Sequence, residues 1–214
     1  MTSGLFGPKQ QRSRKTLTRL LRATIQTLEE HGLEGATIPR IAAAAGVAPA
    51  SVYRRFRDRD ALYRAALMDA LEKSAAASRE RLRLDSFLDQ TLEAVVGQLI
   101  SVNMQQYRSQ PGLMKALQRF IENDSDQDFR VNAMAISSRN FERIIDLLLA
   151  FRGQIAHPSP RRAIIFGLLA MGTIIQVRAS EQVSLWHELL PLSDHELEAE
   201  LTNNFLAYLR SSSM

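Results

Sequence analysis

The chain has 214 residues, 45% of them hydrophobic and 23% charged, a soluble globular composition that excludes a disordered or low-complexity protein. It has no cysteine, which excludes disulfides, a thiolate nucleophile and a zinc site built on sulfur. The net charge of +4 is unevenly placed: residues 1–60 hold eleven basic and five acidic residues, an excess that suits a phosphate-rich partner or a solvated surface.

The N-terminus lacks the charged, apolar, small-residue order of a signal peptide. Apolar residues at positions 17, 20, 21, 25 and 28 recur at helical spacing, predicting an amphipathic helix over 9–31 that Gly32 stops. Thr37 is placed to N-cap a short second helix that Gly46 ends, and Pro49 fits the first turn of a third, running through Arg55. A fourth helix starts near Asp58 and extends towards residue 78. Longer helices are expected over 85–108, 111–122 and 126–152, then a Gly- and Pro-marked loop over 152–160. Two more cover 161–180 and 194–210, and the serine-rich end, 211–213, reads as frayed.

The longest apolar run, 164–177, falls short of the ~20 residues that span a bilayer. Arginines 161, 162 and 178 bracket it, so a buried helix in a cytoplasmic protein with no membrane role is expected. No strand alternation stands out. The fold class read from the pattern is all-α: a basic N-terminal three-helix head followed by a larger helical body.

The informative stretch is ATIPRIAAAAGVAPASVYRRFRDRDAL, residues 36–62. Two short helices meet at a tight turn around Gly46 and Val47, and alanines 42–45 let the second pack close across the first. That is the sequence form of a helix-turn-helix, whose second helix can enter the major groove. Val52 and Phe56 lie on one face and are expected to lock that helix to the core of the head. Ser51, Tyr53, Arg54 and Arg55 cover its other sides, and such a polar run is costly to bury.

The order T-x-x-x-I-A-x-x-A-G-V from Thr37, then V-Y-x-x-F from Val52, then Arg59-Asp60 before Ala61-Leu62, resembles the DNA-binding head of TetR/AcrR-family transcriptional regulators. The resemblance spans residues 12–65 and implies a helix-turn-helix domain over 1–60 and an effector-binding and dimerisation domain over 61–214. It implies that Tyr53 and Arg59 hold backbone phosphates, Arg59 from a helix N-terminus that itself attracts anions. It also implies that Ala48, Pro49, Ala50, Ser51, Arg54 and Arg55 face the bases or the phosphates beside them. Thr37 and Arg40 complete the expected DNA-facing set. Arg40 opposes the helix dipole in its first turn, so it either meets a phosphate or points into water. Ala48 stands where a capping serine is common, a difference of about 1 kcal/mol in the cap. Pro49 and Ala50 offer only apolar contact, as to a thymine methyl, which leaves base reading to Ser51, Arg54 and Arg55.

In the body, Gly167, Ala170, Met171 and Ile174 on one helix and Leu197, Leu201, Phe205 and Tyr208 on the last form stripes. Each fits domain core or, as the resemblance implies, a homodimeric four-helix bundle. A dimer would present two heads to half-sites about 34–36 Å apart, or a multiple of that. Met104, Tyr107, Met114, Phe120, Phe129, Met134 and Phe141 suit a pliable pocket and equally an ordinary core. The resemblance implies a small, largely hydrophobic effector there. The chain is therefore expected to be a ligand-responsive repressor that binds a palindromic double-stranded operator and is released by that effector. An activator and a ligand-independent DNA-organising protein are the alternatives. No metal or cofactor is expected, and no catalytic residue: there is no H-E-x-x-H, G-x-S-x-G, P-loop or G-x-G-x-x-G. Residues 124–128, DSDQD, imitate a calcium loop but put Phe129 where glycine is required, and read better as the acidic start of a helix.

Overall fold

The computed structural model describes residues 8–83, 87, 89–180 and 185–212. Among them are ten α-helices and no strand: α1 Pro8–Gly35, α2 Ile38–Ala44, α3 Pro49–Tyr53, α4 Arg59–Arg81, α5 Leu92–Ser109, α6 Pro111–Asn123, α7 Gln127–Leu149, α8 Pro160–Ser180, α9 Leu185–Leu189 and α10 Asp194–Arg210. A 3-10 turn, Arg152–Gln154, lies in the α7–α8 connection. The chain divides into two compact units, Met1–Ser74 with Gly112–Met134, and Ala75–Pro111 with Ala135–Met214.

In the first unit, the apolar stripe of α1 (Leu20, Leu21, Leu28) packs with Ile41, Val52, Leu62, Leu67 and, from α6 and α7, Leu113, Phe120 and Phe129. Gly32 takes φ 64° and ψ −174°, breaking α1 at the expected place, but one more turn follows to Gly35. Gly46, also at φ 64°, makes the tight turn between α2 and α3. Thr37 is the N-cap of α2 yet its side chain makes no cap bond. Pro39 removes the amide of the second helical position, and the Thr37 side chain does not engage that of Arg40 at the third. Asp58 Oδ1 accepts from Ala61 N at 2.7 Å and so starts α4.

Gly112 carries α6 so close to α1 that a Cβ there would stand 2.1 Å from the Glu29 carbonyl oxygen. The Glu29 carboxylate accepts from Leu113 N at 2.6 Å, satisfying an amide that the first turn of α6 leaves unpaired. At the other end of α6, Arg64 and Asp124 form a paired contact at 2.8 and 2.9 Å, with the Asp124 side chain only 1% exposed. The acidic run is thus only partly a helix start. Asp126 does cap α7, accepting from Phe129 N at 2.9 Å, while Asp124 is a buried partner for a cation sixty residues away.

In the second unit, α5, α8 and α10 pack around Val96, Ile100, Leu148, Ile164, Leu168, Phe205 and Leu209. Gly167 lets α8 and α10 approach, since a Cβ there would lie 2.0 Å from the Phe205 ring. A capping box of Ser193 and Glu196 starts α10. Thr91 caps α5 by accepting from Ala94 N at 3.2 Å. The expected start of that helix at Asp85 lies outside the described residues, as do Ser213 and the first residues of the chain. Ser211 ends α10, its hydroxyl donating to the Tyr208 carbonyl at 2.8 Å.

The expected helix over 126–152 stops at Leu149, before the 3-10 turn. The short helix α9 has no counterpart among the expected elements. α8 exceeds its apolar run: with the flanking residues included, Pro160–Ala179 is long and apolar enough to cross a membrane by length and composition. One face of it, Ala163, Ile164, Leu168, Met171 and Ile175, is packed in the core of this unit.

Candidate nucleic-acid interface

The helix-turn-helix is α2, the Gly46 turn and α3, and its packing decides what α3 presents. Val52 is fully buried and Phe56 partly so, which fixes the rotation of α3 on the first unit. Every other residue from Ala48 to Arg55 then faces outward, with Ser51 intermediate and Tyr53 58% exposed. Regular helix ends at Tyr53 rather than Arg55. Arg55 N donates to the Val52 carbonyl three residues back and Phe56 N to the same carbonyl four back, so the chain tightens into one last turn beyond the helix. Ala48 caps α3 with no side-chain bond, as its lack of a hydroxyl requires.

Among the described residues, no carboxylate partners the two arginines of this face. Arg54 donates to Ser51 Oγ at 2.7 Å and Arg55 to Ser13 Oγ at 3.1 Å, both hydroxyls, so their charge stays available to an anion. Arg57, by contrast, is tied to Asp58 at 2.7 Å. The Asp58 carboxyl is held below its ordinary range, chiefly by the Ala61 amide and then, against some desolvation, by Arg57.

Arg59 stands in the first turn of α4 with its guanidinium carbon 5.4 Å from the centre of the Tyr63 ring and its Nε 3.7 Å from Asp60. Tyr63 is buried, and burial raises its phenol above the ordinary value. Its hydroxyl lies 2.6 Å from the Ala36 carbonyl and 3.0 Å from that of Leu33, pinning the α1–α2 connection to α4. Sequence reasoning missed this residue, whose only signal was an aromatic in an otherwise apolar stripe.

Thr37 is exposed at the start of α2. Arg40 is exposed, and its Nη1 donates at 2.6 Å to the Gly35 carbonyl, which also accepts from Thr37 N at 2.9 Å. The second helix thereby tolerates a cation in its first turn.

The other expected sets are not brought together. Met104 is buried in the second unit and Tyr107 partly so, its phenol raised by desolvation, whereas Phe120 and Phe129 are buried in the first with Met114 against them. Met134 and Phe141 are exposed, at 69% and 50%. Of the two dimer stripes, Met171, Leu197, Leu201 and Phe205 are buried in the core of the second unit, and Gly167 packs on Phe205. Ile174 is exposed and Ala170 and Tyr208 are intermediate. The exposed apolar residues of α8 are Ile165, Phe166, Leu169 and Ile174, and the first three also line a shallow groove with Pro160, Arg161 and Arg162. Among the described residues, no group of three or more histidine or carboxylate side chains is placed to hold a metal ion.

The sequence profile of bacterial regulatory proteins of the tetR family matches residues 20–66, which run from α1 through the helix-turn-helix into α4. The HTH-type transcriptional regulator BetI of Klebsiella pneumoniae is 27% identical over 190 residues, covering 88% of this chain and 90% of that protein. The fold resembles FadR of Bacillus subtilis, solved with stearoyl-CoA, at a TM-score of 0.60 and 18% identity, over 92% of this chain and 99% of that one. It also resembles a transcriptional regulator from a Rhodococcus species at a TM-score of 0.65 and 18% identity, over 90% and 95% of the two chains. Residues 20–66, the stretch the profile matches, thus carry a helix-turn-helix head of the type found in tetR-family regulatory proteins, and among the described residues no carboxylate pairs with the two arginines of its outward face.

Proposed function

We propose that the protein is a ligand-responsive repressor that binds a palindromic operator as a homodimer in the cytoplasm and is released by a small effector. The observation that carries the DNA half of this reading is the outward face of α3. Tyr53, Arg54 and Arg55 are exposed, the helix is locked by Val52, and among the described residues no carboxylate neutralises either arginine. Ser51, Arg54 and Arg55 read bases, Tyr53 and Arg59 hold phosphates, and Ala48, Pro49 and Ala50 give close apolar contact. Thr37 and Arg40 flank that surface.

Dimerisation rests on the outer face of α8. Ile165, Phe166, Leu169 and Ile174 are each 44–65% exposed in the single chain, an apolar strip with reason to be covered. Ala170 and Tyr208 border it, with the Tyr208 ring 5.1 Å from Phe166. The effector half is supported by the second unit, where α5 carries Met104, Tyr107 and Asn103. The amide oxygens of Asn103 and of Asn140 on α7 are buried without a hydrogen-bond partner among the described residues. A buried orphan acceptor costs about 1–3 kcal/mol, so a ligand with an apolar body and a hydrogen-bond donor would be favoured there. The FadR neighbour was solved with a long-chain acyl ligand, which makes acyl-CoA compounds a sensible first panel. Binding would act by favouring a conformation with the wrong half-site spacing.

The test is selection of bound duplexes from a random pool, followed by a mobility-shift screen of acyl-CoA and phenolic compounds on the selected site. A recovered palindrome bound by two chains, and a compound that both releases it and raises the melting temperature, is the expected result. Recovery of random sequence would refute the operator reading, and an inert broad panel would refute the effector.

A further inference from the structure

The positive charge of the head lies on the first part of α1 as well as on the helix-turn-helix. Residues 1–28 contain six basic residues and no acidic one, the first carboxylates being Glu29 and Glu30. Glu29 is already engaged with the α6 amide of Leu113. Four of the six cations, Arg12, Lys15, Arg19 and Arg22, recur at steps of three and four residues. At 100° per residue they fall within one narrow stripe, and all four are exposed, while Leu20, Thr24 and Leu28 take the buried side. Among the described residues no carboxylate pairs with any of the four. Like charges at these spacings weaken a helix, so the stripe runs against the stability of α1 unless an anion lies along it.

Its position is set by two contacts. Ser13, next to Arg12, accepts from Arg55 at the end of α3, at 3.1 Å. Arg19 Nη1 lies 4.0 Å from where a Cβ on Gly46 would stand, beside the turn of the helix-turn-helix. The stripe therefore borders the reading helix and extends about 15 Å along α1, at 1.5 Å per residue. Duplex DNA carries one charge per ~1.7 Å of its axis, so a track of that length meets several phosphates.

We propose that Arg12, Lys15, Arg19 and Arg22 form a phosphate rail, a second DNA contact that grips the backbone flanking the bases read by α3. This rests on the DNA-binding reading above. The rail adds affinity and salt dependence without adding sequence preference, and it lengthens the duplex each head covers.

The experiment measures affinity for the selected operator across a salt series, using the full chain, the R12Q/K15Q/R19Q/R22Q variant and R54A. Glutamine keeps helix propensity while removing charge. The fourfold variant is expected to flatten the slope of log K against log salt by roughly 0.9 for each phosphate no longer neutralised, at most about 3.6 per head. Its ratio of operator to scrambled-duplex affinity should match the unsubstituted protein, whereas R54A should lower that ratio. Trimming the duplex to the palindrome should cost the unsubstituted protein affinity and leave the fourfold variant unaffected. Single R12Q and K15Q variants, in the first turns of α1, should each flatten the slope by about 0.9, independently of any folding defect in the fourfold variant. An unchanged slope in all three charge variants, with a steep slope in the unsubstituted protein, would overturn the rail and leave the operator reading standing. If the unsubstituted protein bound no duplex at low salt, the operator reading itself would fall, and the rail with it.

Discussion

Replacing Asp124 with asparagine tests the tightest polar contact of the first unit. The carboxylate accepts from Arg64 Nε at 2.8 Å, Arg64 Nη2 at 2.9 Å and Asp126 N at 2.7 Å, and its side chain is 1% exposed against 16% for Arg64. An amide of the same shape keeps one acceptor but turns an N–H toward the guanidinium and strands a largely buried cation. Breaking a buried pair from one side costs about 3–5 kcal/mol, and the low end applies because Asp126, 3.5 Å from Arg64, retains some attraction. For a chain of this size about 3 kcal/mol lowers the melting temperature by roughly 6–12 °C. Arg64→Met alone should cost a similar amount, while Arg64→Met with Asp124→Leu should cost far less than the sum, because no unpaired charge is then buried.

The pH dependence gives an independent check. Burial by itself pushes the Asp124 carboxyl up, but the hydrogen bonds from Arg64 and from the Asp126 amide outweigh it and hold the group below its ordinary range. A depressed carboxyl contributes its full stability above the unfolded value of about 3.9 and loses it as pH falls through the folded value. The unsubstituted protein and Asp124→Asn should therefore differ most near neutrality and converge in acid below about pH 4. Thermal or denaturant unfolding across that range measures both effects. A loss under about 1 kcal/mol at pH 7, or a difference that persists undiminished in acid, would refute a buried charge-assisted pair.

Three further outcomes follow from the packing. Gly112→Ala gains up to about 1 kcal/mol of helix propensity but drives a Cβ to 2.1 Å from the Glu29 carbonyl, a backbone atom that cannot rotate away, so a net loss of about 1–3 kcal/mol in unfolding free energy is expected. Gly167→Ala meets the buried Phe205 ring at 2.0 Å, and calorimetry should register a loss of similar size, about 1–3 kcal/mol. Phe166→Glu with Leu169→Glu, both exposed in the single chain, should leave the helical circular dichroism intact while sedimentation reports a monomer and operator affinity falls by more than about tenfold, or about 1.4 kcal/mol.

What could be read from the sequence was whatever depends on neighbours along the chain. Helical periodicity located α1, the glycines at 32 and 46 marked the breaks where φ is positive, and Pro49 with Val52 and Phe56 oriented α3. The failures involve partners far apart or the phase of an apolar surface. Arg64 and Asp124 are sixty residues apart, so DSDQD read wholly as a helix start, which holds for Asp126 and Asp128 but not for Asp124. Nothing local announces that Arg40 will reach back to Gly35, or that the Tyr63 hydroxyl will close on Ala36. The five residues of α9 are too few to display a period.

The inward faces of α8 and α10 were not legible in the sequence for a more instructive reason. α8 is apolar on every side, so periodicity marks it as a helix without saying which stripe turns inward. On α10 the residues at 197, 201 and 205 do form a single stripe, and a single stripe goes first to the core of its own chain. The apolar surface left exposed is then the remainder, Ile165, Phe166, Leu169 and Ile174 on α8, identifiable only once the inward face is known. The head escapes this ambiguity because its partner has a fixed geometry. A helix that must enter a groove needs a defined length, a tight turn and polar residues that packing cannot absorb, and each of these leaves a local mark. The body answers chiefly to volume, a constraint that many apolar sequences satisfy equally well.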